Sequence, residues 1–275
     1  MAEPLLDLRT PIAYGRGHHP DACHLPFAEL ILRRHELPLP GTTLRLVHDV
    51  ADELQQAVAM LSEWGYPIAQ ALEFDDALAQ QWQQQACWQP GSQSRQLWQA
   101  SGCLQRALGL PGTLPDAAAK TDAWALDLAC GSGRDALTLA QHGFRVLAVD
   151  AKADALERLQ ASAQARGLAI QSQCLDLETG AVTLARPSFA LINVARYLHR
   201  PLLPQLRYWL QPGGLLVYET FLQGAERFGG PRRPAFLLAP GELARQFADF
   251  EILHDGVQTL TDGRPMQQFI ARKPG

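Results

Sequence analysis

The chain has 275 residues, of which 47% are hydrophobic and 19% are charged, enough for one large domain or two modest ones. No apolar run is long enough to cross a membrane, and the opening residues lack the features of a signal peptide, so we expect a cytoplasmic protein without a membrane segment. Residues 1–90 carry 5 basic and 12 acidic side chains and residues 91–275 carry 19 and 16, so neither part is basic enough to predict nucleic-acid binding.

The first ninety residues alternate between predicted strands and predicted helices. Residues 5–9 and 42–49 are apolar segments typical of strands, whereas residues 27–37 and 52–66 have apolar positions at helical spacing. Asp52 is the expected N-cap of the second helix. The βαβα order predicts a parallel sheet with helices packed against it.

The composition changes after residue 80. The chain becomes rich in glutamine and contains the pair Pro90-Gly91, which is typical of a boundary between domains. We therefore predict one domain at residues 1–88 and a second at residues 89–275, with a further helix at residues 94–110.

The rest of the chain alternates again and indicates a second α/β domain. Strands are predicted at residues 125–129, 145–149, 168–173, 189–194 and 214–220, and helices at residues 133–142, 152–166 and 201–210. A last helix begins near Gly241, and residues 250–260 and 266–274 can pair as two final strands.

The segment Gly131–Ala136, GSGRDA, follows a predicted strand and opens a predicted helix. It matches the pattern G-x-G-x-x-G/A, whose glycines let the backbone turn tightly and approach a ligand closely. Asp150 ends the next strand, where its carboxylate could accept hydrogen bonds from both hydroxyls of a ribose. These features suit NAD and S-adenosylmethionine (SAM) equally.

Three further features favour SAM. Asp127 lies at the end of the first strand of this domain, where a carboxylate would face the ammonium group of a methionine moiety but would repel a pyrophosphate. Asp176, beside Leu177, follows the third strand, where it could accept a hydrogen bond from an adenine amino group. The turn and strand LQPGGLLVYET at residues 210–220 is a habitual feature of SAM-dependent methyltransferases.

Residues 124–272 resemble class I SAM-dependent methyltransferases. The segments GSGRDALTLA, ARYLHRPLLPQL, YETF and ERFGGPRRPAFLLAPGEL are most similar to the tellurite-resistance and thiopurine-methyltransferase-like branch of small-molecule enzymes. The resemblance implies a Rossmann-like, seven-stranded sheet with the last strand antiparallel, SAM at the carboxyl ends of the strands, and a lid formed by residues 94–110. The implied cofactor-binding residues are Asp127, Gly131, Gly133, Arg134, Asp150, Asp176, Leu177 and Asn193, although Arg134 is equally compatible with a solvated helix position.

Polar residues crowd the loop NVARYLHRP at residues 193–201, where the acceptor site of this fold lies. We predict a substrate pocket formed by Tyr197 and Arg200, with Arg227 and Arg233 contributed by the glycine- and proline-rich loop ERFGGPRRP. Because arginine recognises carboxylate and phosphate through a bidentate fork, this set suggests an anionic acceptor. A solvated surface loop is an equally good explanation of Arg227 and Arg233.

The catalytic candidates are His199, Tyr218 and Arg196. The sulfonium of SAM already activates the methyl group, so transfer needs positioning above all, and a base is needed only when the acceptor must lose a proton. His199 is suited to neutral pH, and Tyr218 and Glu219 are alternatives at the end of the fifth strand. A thiolate or a metalloid oxyanion would need no base.

Residues 4–75 resemble a rhodanese-like domain. The features that carry the resemblance are a strand ending in Asp-x-Arg, a tyrosine, a Gly-His-x-Pro segment and a His-Leu-Pro turn. A working rhodanese holds its sulfur on a cysteine immediately after the strand LRLV, but here His48 follows, and the acids Asp49, Asp52 and Glu53 would repel an anion. The resemblance therefore implies a smaller α/β domain that has lost sulfur transfer and keeps a binding, docking or structural role.

The cysteines stand singly and give no metal-binding spacing. They are Cys23, Cys87, Cys103, Cys130 and Cys174. An odd set without a CxxC pair predicts neither a disulfide framework nor a metal site, and it fits a reducing compartment.

The combined prediction is a two-domain SAM-dependent methyltransferase acting on a small anionic, thiol or metalloid acceptor. The alternative is a SAM-binding or docking protein without turnover, whose acidic first domain binds a protein partner or a second copy of the chain. An RNA methyltransferase is a weaker alternative, because no N/D-P-P-Y/F motif follows the fourth strand and no broad basic stretch is present.

Overall fold

The computed structural model describes residues 3–38, 40–113, 123–179, 182–260 and 262–275. The chain divides into a front unit, Met1–Gln99, and a rear unit, Ala100–Gly275, so the division falls later than the predicted boundary after residue 88. The segment before Gln99 belongs to the front unit because hydrogen bonds join it to Tyr14 and His18. Gln89 exchanges two backbone hydrogen bonds with His18, and the Tyr14 hydroxyl donates to the Gln93 carbonyl at 2.6 Å.

The front unit contains a four-stranded parallel sheet with helices. Its elements are β1 (Leu5–Asp7), α1 (Pro11–Arg16), β2 (Ala22–His24), β3 (Leu44–His48), α2 (Ala51–Glu63), β4 (Ile68–Glu73) and α3 (Asp76–Gln84). The strand order is β2-β1-β3-β4, and every pairing is parallel. The parallel sheet predicted from the alternation of strands and helices is therefore confirmed.

The predicted helix at residues 27–37 is wrong. The chain there forms two short 3-10 turns, Phe27–Glu29 and Arg34–Glu36. Between them the buried guanidinium of Arg33 donates to both carboxylate oxygens of Glu36, at 2.7 and 2.9 Å. The segment buries Leu30 and Leu37 in the core while Ile31 and Leu32 stay exposed, so the packing of the two buried leucines outweighs the local helical spacing.

The prediction that Asp52 is the N-cap of α2 is wrong. The helix begins one residue earlier, at Ala51, and the backbone N–H of Val50 donates to Nδ1 of His48 at 2.9 Å. Asp52 lies in the first turn, where a negative charge interacts favourably with the helix dipole.

The rear unit is built on a seven-stranded sheet. Its elements are α4 (Gly102–Leu108), β5 (Trp124–Leu128), α5 (Arg134–Gln141), β6 (Arg145–Asp150), α6 (Ala153–Ala165), β7 (Ile170–Cys174), β8 (Phe189–Ala195), α7 (Leu203–Trp209), β9 (Leu210–Phe221), α8 (Glu242–Gln246), β10 (Glu251–Thr259) and β11 (Pro265–Arg272). The strand order is β10-β11-β9-β8-β5-β6-β7, and β11 runs antiparallel to both of its neighbours. The predicted sheet with an antiparallel last strand is confirmed.

The order of the strands reverses at β5, which pairs with β6 on one side and β8 on the other. Connections therefore leave β5 in opposite directions and open a crevice at the carboxyl ends of the strands. All five residues of β5 are buried, as expected for a central strand of a parallel sheet. The rest of the core is supplied mainly by leucine, valine and phenylalanine from both faces of the sheet.

The helix predicted at residues 94–110 forms only in its second half, as α4. Residues 94–101 have no regular secondary structure. The helix starts after Ser101 because the N–H and the hydroxyl of that residue donate to the carboxylate of Asp135.

Candidate functional site

The glycine turn connects β5 to α5 at the carboxyl edge of the sheet. Ala129, Gly131 and Gly133 have φ values of 53°, 54° and 79°, so the backbone passes through the left-handed region at three alternate positions. The turn is fixed to the next strand, because the Gly131 N–H donates to a carboxylate oxygen of Asp150 at 2.8 Å. The structure thus brings together two residues that the sequence predicted for one ligand.

The two motif glycines have different surroundings. A Cβ atom on Gly131 would meet no heavy atom within 4 Å, so the space beside this residue is open. A Cβ atom on Gly133 would lie 2.2 Å from a methyl carbon of Leu159 in α6. Gly133 therefore allows α5 and α6 to pack closely, whereas Gly131 leaves room at the crevice.

A chain of hydrogen bonds crosses the crevice beside this turn. Asn193 on β8 donates through Nδ2 to Asp127 on β5 at 2.8 Å and to Asp135 on α5 at 3.0 Å. Asp135 also accepts from the backbone N–H and the hydroxyl of Ser101, at 2.8 and 2.7 Å. The network joins the predicted residues Asp127 and Asn193 to Asp135 and Ser101, which sequence reasoning missed. Asp135 could have been found as the one acid inside the GSGRDA motif.

Two acceptor atoms of this network have no donor. Oδ2 of Asp127 and Oδ1 of Asn193 are buried and make no hydrogen bond within the part of the chain that the structure describes. Burial, followed by the charge of Asp135, raises the pKa of Asp127 well above its usual range. A positively charged hydrogen-bond donor would satisfy both oxygens and would relieve the repulsion between the two carboxylates.

A second group of acids lies at the ends of β6 and β7. Besides the Gly131 N–H, the Asp150 carboxylate accepts the backbone N–H of Lys152 at 2.9 Å, which fixes its orientation. Asp176 is exposed and accepts the backbone N–H of Glu178 at 2.9 Å. Leu177, predicted to contact a cofactor, has its side chain buried in the hydrophobic core, so that side chain serves packing.

Tyr197 approaches this second group of acids from the loop after β8. Its hydroxyl is buried and has no hydrogen-bond partner among the described residues. Burial, and then the charges of Glu178, Asp176 and Asp150, raises the pKa of the phenol, so that Tyr197 keeps its proton. The structure therefore places Tyr197, predicted for the substrate pocket, near the acids predicted for the nucleoside.

The structure gives Arg200 a different role from the predicted one. Its Nε and Nη2 atoms donate to the carboxylate of Glu242 at 2.6 and 2.9 Å, and the same guanidinium donates to the carbonyls of Ala235 and Leu237 at 2.9 Å each. The hydrogen bond from Arg200 is the main reason that the pKa of Glu242 is lowered. Since most of its N–H groups are used inside the protein, Arg200 fixes the loop before α8 and is not free to bind an anion.

The other predicted substrate and catalytic residues lie nearer the surface. Arg196 is exposed, has a φ of 57° and donates its backbone N–H to the Glu219 carbonyl. His199 is half-buried, and its side chain makes no hydrogen bond with any residue the structure describes. Arg227 and Arg233 are exposed in the loop after β9, and within the described ranges neither side chain forms an ion pair. Arg134 is the first residue of α5 and is half-buried.

The two candidates on β9 are buried and already engaged. Tyr218 donates its hydroxyl to the Tyr197 carbonyl at 3.0 Å, and burial raises the pKa of its phenol. Tyr218 therefore holds its proton and fixes the loop after β8, which corrects its prediction as a base. Glu219 accepts at Oε2 from the backbone N–H of Cys103 and from Gln268, at 2.9 Å each.

Two features are absent from the part of the chain that the structure describes. Over residues 3–38, 40–113, 123–179, 182–260 and 262–275, no three His, Cys, Asp or Glu side chains are grouped so as to hold a metal ion. No helix in those ranges has the length and apolar character needed to cross a membrane.

The strand order, with β11 antiparallel, and the crevice at the carboxyl ends of the strands define a Rossmann-like α/β domain. Residues 125–214 match the family model described as a methyltransferase domain, a stretch that includes the glycine turn, Asp150 and the loop after β8. The match indicates that SAM is the cofactor of this stretch.

Solved structures of other proteins share this fold. TehB from Haemophilus influenzae is 19% identical with a TM-score of 0.52, and the match covers 63% of this chain and 62% of TehB, so the chain spans less than two thirds of that protein. The N-methyltransferase NodS from Bradyrhizobium japonicum WM9 is 18% identical with a TM-score of 0.47, over 63% of this chain and 93% of NodS. The likeness to TehB, at this identity, shows the fold alone. No curated protein sequence matches the chain.

Proposed function

We propose that the chain is a SAM-dependent methyltransferase that acts on a small acceptor molecule. The observation that carries the proposal is the pair of buried acceptors without donors, Oδ2 of Asp127 and Oδ1 of Asn193. The ammonium of a methionine moiety is a charged donor with three N–H bonds, which suits a site that offers oxygen atoms and negative charge. A pyrophosphate would add negative charge beside Asp127 and Asp135.

The residues of the crevice fit the other parts of SAM. The Asp150 carboxylate, oriented by two backbone N–H groups, would accept the ribose hydroxyls. Asp176 keeps one carboxylate oxygen for the adenine amino group, and Tyr197 offers a hydroxyl that keeps its proton. The open space at Gly131 lets a ligand approach the backbone, and we assign Gly133 to helix packing.

The chain's own contribution to the reaction is positioning. When bound, SAM supplies a methyl group that its sulfonium has already activated. The Asp127–Asn193–Asp135 network would hold the methionine end and, through Ser101, would fix the start of α4 beside the crevice. For an acceptor that must lose a proton, we assign His199 as the base, because its ring nitrogens are not engaged.

The acceptor is proposed to be small and either anionic, a thiol or a metalloid compound. Arg227 and Arg233 support an anionic acceptor, because both are exposed and could turn a guanidinium fork toward a ligand. Arg196 lies in the loop after β8 and could bind the same charge. Arg200 is left out of this set because Glu242 holds it.

For the front unit we propose a rhodanese-like domain without sulfur transfer, in a protein of the cytoplasm. The parallel sheet supports a rhodanese-like domain. His48 at the end of β3, where a working rhodanese has cysteine, supports the absence of sulfur transfer. Nδ1 of His48 accepts the Val50 N–H, and Nε2 lies 2.9 Å from the carboxylate of Glu53. The position is thus filled by a histidine bonded to an acid, which would not cradle an anion.

A methylation assay tests the proposal. The full chain is incubated with SAM carrying a labelled methyl group and a panel of small thiols, metalloid oxyanions, carboxylates and amines. We expect label transfer to at least one acceptor class and its loss in Asp127→Asn. SAM binding without transfer to any acceptor would instead support a docking protein, whose acidic front unit binds a protein partner or a second copy.

A further inference from the structure

A cavity of about 400 Å³ lies in the rear unit between α4 and the two strands β10 and β11. Its volume falls in the range of roughly 300–1,000 Å³ that is typical of small-ligand pockets. It is lined by Gly102, Arg106, His254, Gly256, Val257, Gln258 and Gln268. None of these residues belongs to the set assigned to SAM or to the acceptor.

Two basic side chains from different elements converge on this cavity. Arg106 comes from α4, and its side chain makes no ion pair or hydrogen bond with the residues the structure describes. His254 comes from β10, where burial and then the charge of Arg106 lower the pKa of its imidazole. A negatively charged group placed between them would favour the protonated imidazole and supply an acceptor to both side chains.

Two glycines keep the cavity open. A Cβ atom on Gly256 would lie 2.9 Å from Nε2 of His254, so any larger residue would push the imidazole aside. A Cβ atom on Gly102 would lie 2.9 Å from Nε2 of Gln268 and 3.0 Å from Oε1 of Gln258. Both glycines therefore border the polar atoms of the cavity at distances that leave no room for a side chain.

The glutamines form the polar floor of the cavity. Gln268 donates from Nε2 to Gln258 and to the carboxylate of Glu219, which also accepts the Cys103 N–H. These two donors hold the Glu219 charge, and Glu219 does not line the cavity. The other charge near His254 is Asp255, the next residue in β10, whose carboxylate accepts from Gln267.

We propose that this cavity is a binding site for a small molecule that carries a carboxylate or phosphate group, held by Arg106 and His254. The site goes beyond the proposed methyl transfer and does not depend on it. Because the bound anion favours protonated His254, its affinity increases as the pH falls through the pKa of that imidazole.

Titration with inorganic phosphate, and separately with glutarate, tests the proposal on the full chain without SAM. The histidine ring resonances are followed by NMR, and His254→Asn identifies the His254 signal. We expect a saturable shift of that signal with at least one of the two anions, and the anion that binds more tightly identifies the ligand class. Because SAM is absent, the result is independent of whether the chain transfers methyl groups.

Matched variants show whether the cavity itself binds the anion. Arg106→Gln should weaken binding about tenfold, the effect of losing one charge-assisted hydrogen bond. Gly256→Ala, which changes no charge, should weaken it to a similar extent by displacing the imidazole. Arg245→Gln removes the same charge from an exposed arginine of α8 and should leave affinity unchanged. No saturable shift with either anion, or equal losses in Arg106→Gln and Arg245→Gln, would overturn the proposal.

Discussion

Replacing Gly133 by alanine should destabilise the rear unit by forcing α5 away from α6. The new Cβ atom would lie 2.2 Å from one methyl carbon of Leu159 and 2.9 Å from the other, and the residue would keep a φ of 79°. The left-handed backbone costs about 1–2 kcal/mol for a residue with a Cβ atom. Overpacking adds about 1–3 kcal/mol, so we expect the free energy of unfolding to fall by about 2–5 kcal/mol.

Gly131→Ala is the matched control, because φ is 54° but no atom lies within 4 Å of the new Cβ. We expect it to lose only the backbone contribution of about 1–2 kcal/mol. Its methyl group would occupy the open space beside Asp150, so Gly131→Ala should lose more SAM affinity than stability. The two variants thus separate packing from ligand binding.

Urea unfolding of the ligand-free protein, followed by far-ultraviolet circular dichroism, measures the stability difference, and calorimetry with SAM measures affinity. A double-mutant cycle with Leu159→Ala adds a direct test of the contact. Shortening Leu159 should reduce the cost of Gly133→Ala by about 1–3 kcal/mol. Equal losses in Gly131→Ala and Gly133→Ala, with no coupling to Leu159, would refute this account of the turn.

Four further results are expected. Burial raises the pKa of Asp127 in the folded protein above its value in the unfolded chain. The contribution of Asp127 to the stability of the ligand-free protein is therefore present at low pH and is lost as the pH rises through the folded pKa. Asp127→Asn should abolish this pH dependence of the free energy of unfolding in urea. A cationic ligand beside Asp127 favours the ionised carboxylate, so SAM should bind with proton release and more tightly at higher pH. Calorimetry in buffers of different ionisation enthalpy would detect the released proton. A SAM affinity that does not change with pH would contradict this expectation. Arg200→Ala and Glu242→Ala should each destabilise the protein by about 1 kcal/mol, and the two losses should be non-additive because the two residues form one ion pair. Neither variant should change the KM for the acceptor. A rise in KM for Arg200→Ala alone would place Arg200 in the substrate pocket. Ser101→Ala should lower the free energy of unfolding by about 0.5–1.5 kcal/mol. No loss would show that the hydrogen bond from the Ser101 hydroxyl to Asp135 does not stabilise the protein.

The centre of the rear sheet could be predicted because its strands β5 and β6 are nearly continuous apolar runs between turn residues. β5 and β6 are central and buried on both faces, so both appear in the sequence as short apolar runs with turn residues at their ends. The glycine turn was predictable for a related reason, since a left-handed backbone at Gly131 and Gly133 requires residues without a Cβ atom.

The side-chain partners could not be predicted, because they depend on contacts between distant segments. Arg200 looked available for a ligand until Glu242, far along the chain, proved to hold it. Asp135 follows the glycine turn, and nothing in its local sequence shows that Ser101 and Asn193 donate to it.

We propose that the acid-lined crevice, with two buried acceptors that lack donors, binds the cationic end of SAM. Calorimetry on the ligand-free full chain, comparing SAM with NADH and the wild type with Asp127→Asn, tests it most directly. We expect saturable SAM binding that weakens at least about tenfold in Asp127→Asn, and no binding of NADH. Saturable NADH binding with no response to SAM would contradict it.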